Sequence, residues 1–226
     1  MGTMIPRLRD YEAQLLTEYQ EIVQKRKIPI IAIGGFSGTG KDTVAIFIKR
    51  YFKFKHQINL TITGAGTFIR KIAVESGWRE ENLDEFMSHI KNSQDEKFAE
   101  EVDLKIERHA LRMALLEGGI FVGRMAPFAI GTHGTTIWLE VTAPVIAARI
   151  TRDPNRAEYG MQEKELIRRI RLRDSTDGDR LERIYGISFR DRYNFDLTLR
   201  NEGMTIAKLE ERIKDLLDKK YGDFNR

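Results

Sequence analysis

Apolar runs and amphipathic stripes alternate along the chain. Residues 4–26 place Leu8, Tyr11, Leu15, Tyr19 and Ile22 at steps of three or four, which predicts one helix opened after Pro6. The run from Ile28 to Ile33, closed by glycines, reads as a buried strand. TVAIFIKRYF then predicts a helix with Val44, Ile48 and Phe52 on one side, and INLTIT at 58–63 a second strand. Helical segments follow at about 66–77, 81–91 and 95–117, the last with Phe98, Val102, Ile106, Ala110 and Met113 along it. Gly118 and Gly119 end that helix and release a third strand, IFVG, while TTIWLEV at 135–141 reads as a fourth. Pro144 begins an alanine-rich helix, and a polar, arginine-loaded stretch broken by STDGD fills 161–184. FDLTL is the last strand and 205–220 the last helix. Strands and helices in this order predict an α/β fold with a mostly parallel five-stranded sheet covered on both faces.

Composition narrows the chemistry. The 226 residues contain no cysteine, so disulfides, thiolate metal sites and thiol nucleophiles are excluded. No apolar run follows a basic segment at the N-terminus, and no stretch approaches the ~20 apolar residues of a membrane crossing. The expectation is a soluble, cytoplasmic protein with no membrane partner. A net charge of +4 favours anionic partners only weakly.

The strongest local signal is GGFSGTGKDT, starting at Gly34. Gly35, Gly40 and Lys41 satisfy G-x-x-x-x-G-K, with Gly38 as a further glycine and Ser37 and Thr39 between. Glycines suit such a loop because its amides must turn toward a phosphate without side chains in the way. The lysine neutralises phosphate oxygens and the following helix offers its unpaired N–H groups. A buried strand before and an amphipathic helix after make this the context of a nucleotide triphosphate loop. The usual pattern has a magnesium-binding hydroxyl directly after the lysine, but here Asp42 stands there and Thr43 follows. Asp42 reads either as a helix-capping charge or, with Thr43, as an oxygen donor to magnesium.

Cations that could surround a migrating phosphoryl group occur in three places. Arg70 lies in the helix after the second strand, Arg124 follows the third strand, and Arg168, Arg169, Arg171, Arg173, Arg180 and Arg183 fill the late polar stretch. Arg169 and Arg173 share a helix face, and a hairpin at STDGD would return Arg180 to it, the arrangement of a lid. The competing reading is a solvated face paired with Glu163, Glu165, Asp174, Asp177 and Asp179. Arg124 stands at the carboxyl end of a strand, the edge at which open α/β sheets bind ligands. The histidines, including His133 in GTHGT, show no metal-ligand spacing, and His133 reads as a turn residue.

Together these residues resemble the cytidylate kinases, most closely the short archaeal type, over residues 28–216. TGAGTFIRKIAVESGW, LDEFMSHI, DEKFAEEVDLKIERHA, FVGRM, IWLEVTAPVIAARI, RDSTDGDRLERIYGI and NFDLTLRN carry the resemblance. It implies a P-loop kinase three-layer sandwich with a helical acceptor-binding insertion at 66–117 and an arginine-rich lid at 160–185. Residues 1–27 would be an accessory helix on a kinase domain at 28–220, packed on the core or used in self-association, in a monomer or homodimer. The implied reaction passes the γ-phosphoryl of ATP, with Mg2+, to a pyrimidine nucleoside monophosphate as small-molecule acceptor. Gly66, Arg70, Asp103 and Arg124 would meet the acceptor, and Lys41, Arg124, Arg169, Arg173 and Arg180 the moving group. Two positions depart from the family pattern: Thr67 replaces a glutamate, and Val122 replaces the acid before Gly123 and Arg124. Loss of that acid beside the gain of Asp42 suggests a relocated charge. Asp103 and Glu107 share a helix face and are nominated for the acceptor base, with a surface salt bridge to Lys105 or Arg108 as the competing role. The alternatives are a P-loop kinase of another small acceptor, or an ATP-dependent nucleotide- or RNA-binding protein without kinase activity. No RNA-recognition motif or aromatic stacking platform supports the last.

Overall fold

The computed structural model describes residues 5–36, 38–79, 82, 85–86, 96–152, 158–187 and 195–223, without the side chains at 96, 99, 173, 176, 177, 180 and 181. Five parallel strands, β1 (Ile30–Gly35), β2 (Ile62–Gly64), β3 (Gly119–Val122), β4 (Thr135–Glu140) and β5 (Leu197–Arg200), form one sheet in the order β2-β3-β1-β4-β5. The helices are α1 (Arg9–Glu18), α2 (Gln20–Lys25), α3 (Lys41–His56), α4 (Ala65–Glu75), α5 (Glu96–Glu117), α6 (Ala126–Ile130), α7 (Ala143–Ile150), α8 (Glu163–Tyr185) and α9 (Ile206–Tyr221). The P-loop kinase sandwich expected from the chain is the observed architecture.

Alternation along β1 sorts its side chains onto two cores. Ile31 and Ile33 pack with Val44, Ile48 and Phe52 of α3 and with Leu209, Ile213 and Leu217 of α9. Ile30 and Ala32 face the opposite layer, where Phe68 and Ile72 of α4 meet Ile106, Ala110 and Ala114 of α5. Because all strands run in parallel, the segments after β1, β3 and β4 emerge along one edge, as expected for the ligand-binding edge of such sheets. Among the described residues no helix is long and apolar enough to cross a membrane.

Three expectations need correction. The N-terminal stripe is not one helix: a 3-10 turn at Pro6–Leu8 leads into α1, and the chain leaves helical geometry at Tyr19 before α2. Leu8 and Leu15 are buried in the cluster with α5 and α6, Tyr19 and Val23 cover it only in part, and Ile22 is half exposed. The second strand is shorter than expected; Ile58 and Leu60 join the core from extended chain outside the sheet. The arginine-rich stretch is not a hairpin. STDGD lies inside α8, which runs unbroken until Gly186 at φ 63 ends it. Gly178 lowers helix propensity by about 1 kcal/mol, but burial of Leu166 near one end and Tyr185 at the other holds the helix together. Arg180 therefore stands about 16 Å along the rod from Arg169, at 1.5 Å per residue. The helix expected at 81–91 lies mostly outside the described residues.

The segment before β1 is part of the core. Ile5 and Leu8 are fully buried among Leu104, Leu111, Met125, Phe128 and Tyr185, and the Ile5 amide donates to the Phe128 carbonyl at 3.0 Å. Tyr11 lies under Arg108, Tyr19 under Arg112, and His133 is bound to Glu12 rather than being a mere turn residue. Leu8→Ala should lower the unfolding free energy by about 2–5 kcal/mol, measured by denaturant titration. A change near zero would mean that this segment does not belong to the cooperative core.

Candidate active site

The loop between β1 and α3 is shaped by glycine. Gly35, Gly38 and Gly40 have φ of 136, 78 and 93°, and a β-carbon on Gly35 would lie 2.5 Å from the Leu139 carbonyl oxygen of the neighbouring strand. Side chains hold the loop's carbonyls. Lys41 Nζ donates to Gly35 O at 2.8 Å and Phe36 O at 2.7 Å, and buried Thr39 Oγ1 donates to Phe36 O at 2.9 Å. Asn201, buried just beyond β5, donates from Nδ2 to Thr39 O at 3.2 Å. Arg149 of α7 reaches Gly38 O at 3.5 Å and Asn201 O at 3.0 Å. Among the described residues the amides of Gly38, Thr39 and Gly40 make no hydrogen bond, so they remain available at the N-terminus of α3, where an anion is favoured.

Two cavities flank the loop. One of about 510 Å3 is lined on its polar part by Lys41, Asp42, Thr43, Arg149 and Asn201. Ile150, Met204, Ile206 and Leu209 add apolar surface to its lining. This combination suits a ligand with an anionic chain and a flat, apolar body. The other, of about 860 Å3, lies between Phe36 and Trp138 on the loop side and α8, with Glu140 at the end of β4 in its wall. The Arg124 guanidinium lies 5.1 Å from the centre of the Phe36 ring. Phe36 meets Trp138 edge-on at 6.1 Å, and Trp138 stacks on Phe195 at 5.0 Å, so the cation rests on an aromatic column.

Gly38, Gly40, Lys41, Asp42 and Thr43 line the smaller cavity, Gly35 and Thr39 belong to the same loop, and Arg124 lies over Phe36. Ser37 lies outside the described residues. Arg70 is exposed on α4, and Gly66 sits in the first turn of that helix with open space around it. Asp103 is half-buried on α5. Arg169 does not face the loop: it is exposed and donates to Glu165 at 2.9 Å, whereas Arg171 of α8 lines the larger cavity. The side chains of Arg173 and Arg180 lie outside the described residues. Val122 is packed in the core beside Val44, which leaves no carboxylate at the end of β3.

Glu107 overturns its surface reading. It is 8 % exposed, and burial, reinforced by the negative charge of Asp103, pushes its carboxyl up to about 8. Arg149 and Asn201 were not singled out in the sequence. Asn201 carried a signal, being polar at the carboxyl end of a strand, but Arg149 looked like the polar side of an ordinary helix.

The sequence profile of the cytidylate kinase-like family matches residues 30–203. The chain belongs to this family. Among similar proteins, this family member is 26% identical over 174 residues to a cytidylate kinase of Thermococcus sibiricus, covering 77% of this chain and 80% of the relative. It is 29% identical over 205 residues to a cytidylate kinase of Methanopyrus kandleri, covering 84% and 95%. Among solved structures, a shikimate kinase from Bacteroides thetaiotaomicron shares the fold with a TM-score of 0.55 at 15% identity, over 84% of this chain and 98% of that one. The family profile begins at the first strand, so the buried N-terminal segment is outside the matched region.

Asn201→Ala removes the clasp on Thr39 and should weaken nucleoside triphosphate binding by about tenfold, measured by calorimetric titration. Unchanged affinity in a normally folded variant would show that the loop holds its shape without Asn201.

Proposed function

We propose that this cytidylate kinase-like protein transfers the γ-phosphoryl group of ATP to a pyrimidine nucleoside monophosphate, in the presence of Mg2+. The observation that carries this reading is the loop with its carbonyls held by side chains, the amides of Gly38, Thr39 and Gly40 without a hydrogen bond among the described residues, and Lys41 lining a cavity that also has apolar walls. A triphosphate laid against Gly35, Ser37, Gly38, Thr39 and Gly40 would draw the Lys41 ammonium from the carbonyls of Gly35 and Phe36. Charge-assisted bonds to phosphate are about twice as strong as neutral ones. The adenine would lie against Ile150, Met204 and Leu209, with Arg149 above it.

Asp42 and Thr43 are exposed side by side in the first turn of α3 and both line this cavity. A carboxylate and a hydroxyl are the hard oxygen donors that magnesium takes, leaving its other positions to phosphate and water. Among the described residues no group of three or more His, Cys, Asp or Glu could hold a metal instead. When bound, the ion would neutralise charge on the phosphates. On this reading Asp42 supplies the charge that Val122 does not.

The acceptor phosphate would lie between Arg124 and Arg70, with Gly66 and Asp103 toward its nucleoside. Arg124 would exchange the Phe36 ring for that phosphate. An acceptor oxygen then attacks the γ-phosphorus in line, the bond to the β,γ-bridging oxygen breaks, and ADP departs. No general base is needed, because the attacking phosphate is already an anion. Arg169, Arg173 and Arg180 would act as lid cations only if α8 turns and Arg169 exchanges Glu165 for phosphate.

Incubation with ATP, Mg2+ and a panel of nucleoside monophosphates should give diphosphate product, most rapidly from CMP or dCMP. No turnover of any monophosphate would overturn the assignment. Lys41→Met should cut turnover by about 100- to 1,000-fold while its unfolding curve matches the parent; undiminished activity would remove Lys41 from the mechanism.

A further inference from the structure

A carboxyl group buried without a partner needs a reason, because ionising it there is costly. Glu107 is such a group: it is 8 % exposed, and among the described residues it makes no hydrogen bond or ion pair. At about 100° per residue it projects between Leu104 and Leu111 on one side and Ala110 and Ala114 on the other. The first pair packs with Met125 and Phe128, the second with Ala126 and Ile130. Glu107 therefore faces the turn where β3 passes into α6.

Its height on the helix agrees. From Glu117 back to Glu107, α5 rises about 15 Å, while β3 climbs about 13 Å alongside from Gly119 to Gly123. The carboxyl is thus level with Gly123, Arg124 and Met125, at the sheet edge where the acceptor is placed above. Asp103 stands one turn higher and is half-buried.

The charges around Glu107 can be named element by element. Asp103 on its own helix acts on it, and no cation figures among the groups that do. The α6 helix and β3 carry no ionisable residue, and Arg124 beyond β3 lies over Phe36. From the N-terminal segment, Arg7 is bound to Glu100, while Tyr11 and Tyr19 lie under Arg108 and Arg112. From α4, Lys71 and Glu75 act on His109.

We propose that Glu107 is a specificity-determining residue of the acceptor site, donating its carboxyl proton to a ring nitrogen of the base while Asp103 accepts from the adjacent exocyclic amine. The inference rests on the kinase reading and deepens it. Side chains four apart on a helix stand about 5–6 Å from each other, a span that two hydrogen bonds of about 2.8 Å can close onto neighbouring ring positions. An acid beside a carboxylate matches a base edge with a bare nitrogen next to an amine, as in cytosine. A base with an N–H next to a carbonyl, as in uracil, would set donor against donor and oxygen against carboxylate. Burial keeps Glu107 neutral at neutral pH, so its donor is present below about 8 and is lost as pH rises through that value.

The test compares CMP, dCMP and UMP as acceptors, by kcat/KM and by calorimetric affinity, from about pH 6 to about pH 10, in the parent protein, Glu107→Leu and Glu107→Gln. In the parent, preference for CMP over UMP should fall above about pH 8. Glu107→Leu should lower kcat/KM for CMP by about 10- to 100-fold, with the KM for ATP unchanged. Glu107→Gln keeps a donor that does not titrate, so it should recover part of the preference and flatten the pH profile. Thermal unfolding of each variant separates these effects from loss of fold. If both variants keep the parent's CMP to UMP ratio and its pH profile, Glu107 has no part in recognition and the kinase reading stands. If the parent neither binds nor phosphorylates any monophosphate, both readings fall.

Discussion

The carbonyl oxygens of Gly35, Phe36, Gly38 and Thr39 accept hydrogen bonds from Lys41, Thr39, Arg149 and Asn201, side chains that converge from α3, the loop itself, α7 and the end of β5. A peptide's two polar groups point in opposite directions, so anchoring the carbonyls of Gly38 and Thr39 turns the amides of Thr39 and Gly40 the other way. The shape of the loop is therefore in part a tertiary property, supplied by two elements distant in sequence, α7 and the end of β5. Lys41 has a double role in this arrangement. It donates to two carbonyls of the loop and is also the cation that a phosphate would recruit.

The rest of the fold serves to bring that loop beside its cations. Parallel strands deliver the ends of β1, β3 and β4 to one edge, which sets Arg124 over Phe36 and places Glu140 in the wall of the larger cavity. The N-terminal segment adds to this from below. Ile5, Leu8 and Leu15 pack on α5 and α6 and reach Tyr185 at the end of α8, so one apolar cluster joins α5, the turn that carries Arg124, and α8. A displacement of any of these three would be felt by the others through dense packing.

Charge is distributed less simply than a basic lid would suggest. Arg168 and Arg169 are both bound to Glu165, whose carboxyl they hold well below its usual range. The larger cavity mixes Arg171 and Arg200 with Asp174, Asp179 and Glu182. On the opposite side, Asp103 and Glu107 put two acids where the base of an acceptor is proposed to lie. Cations for phosphate and acids for the base would then occupy separate walls of the same crevice.

Much of this was legible in the chain. The α/β order, the parallel sheet, the loop from Gly35 to Lys41 and the position of Arg124 followed from patterns only a few residues long, because strand burial, glycine freedom and helix periodicity are local properties. What only the tertiary structure decided depended on neighbours distant in sequence. STDGD is a turn signal by composition, yet burial of Leu166 and Tyr185 at its flanks keeps α8 helical through it. Glu107 looked like a surface acid because nothing within one turn showed that α6 would cover it. The contact of Arg149 with Asn201 appeared only when β5 was laid beside β4, since strand pairing is not written in any single segment.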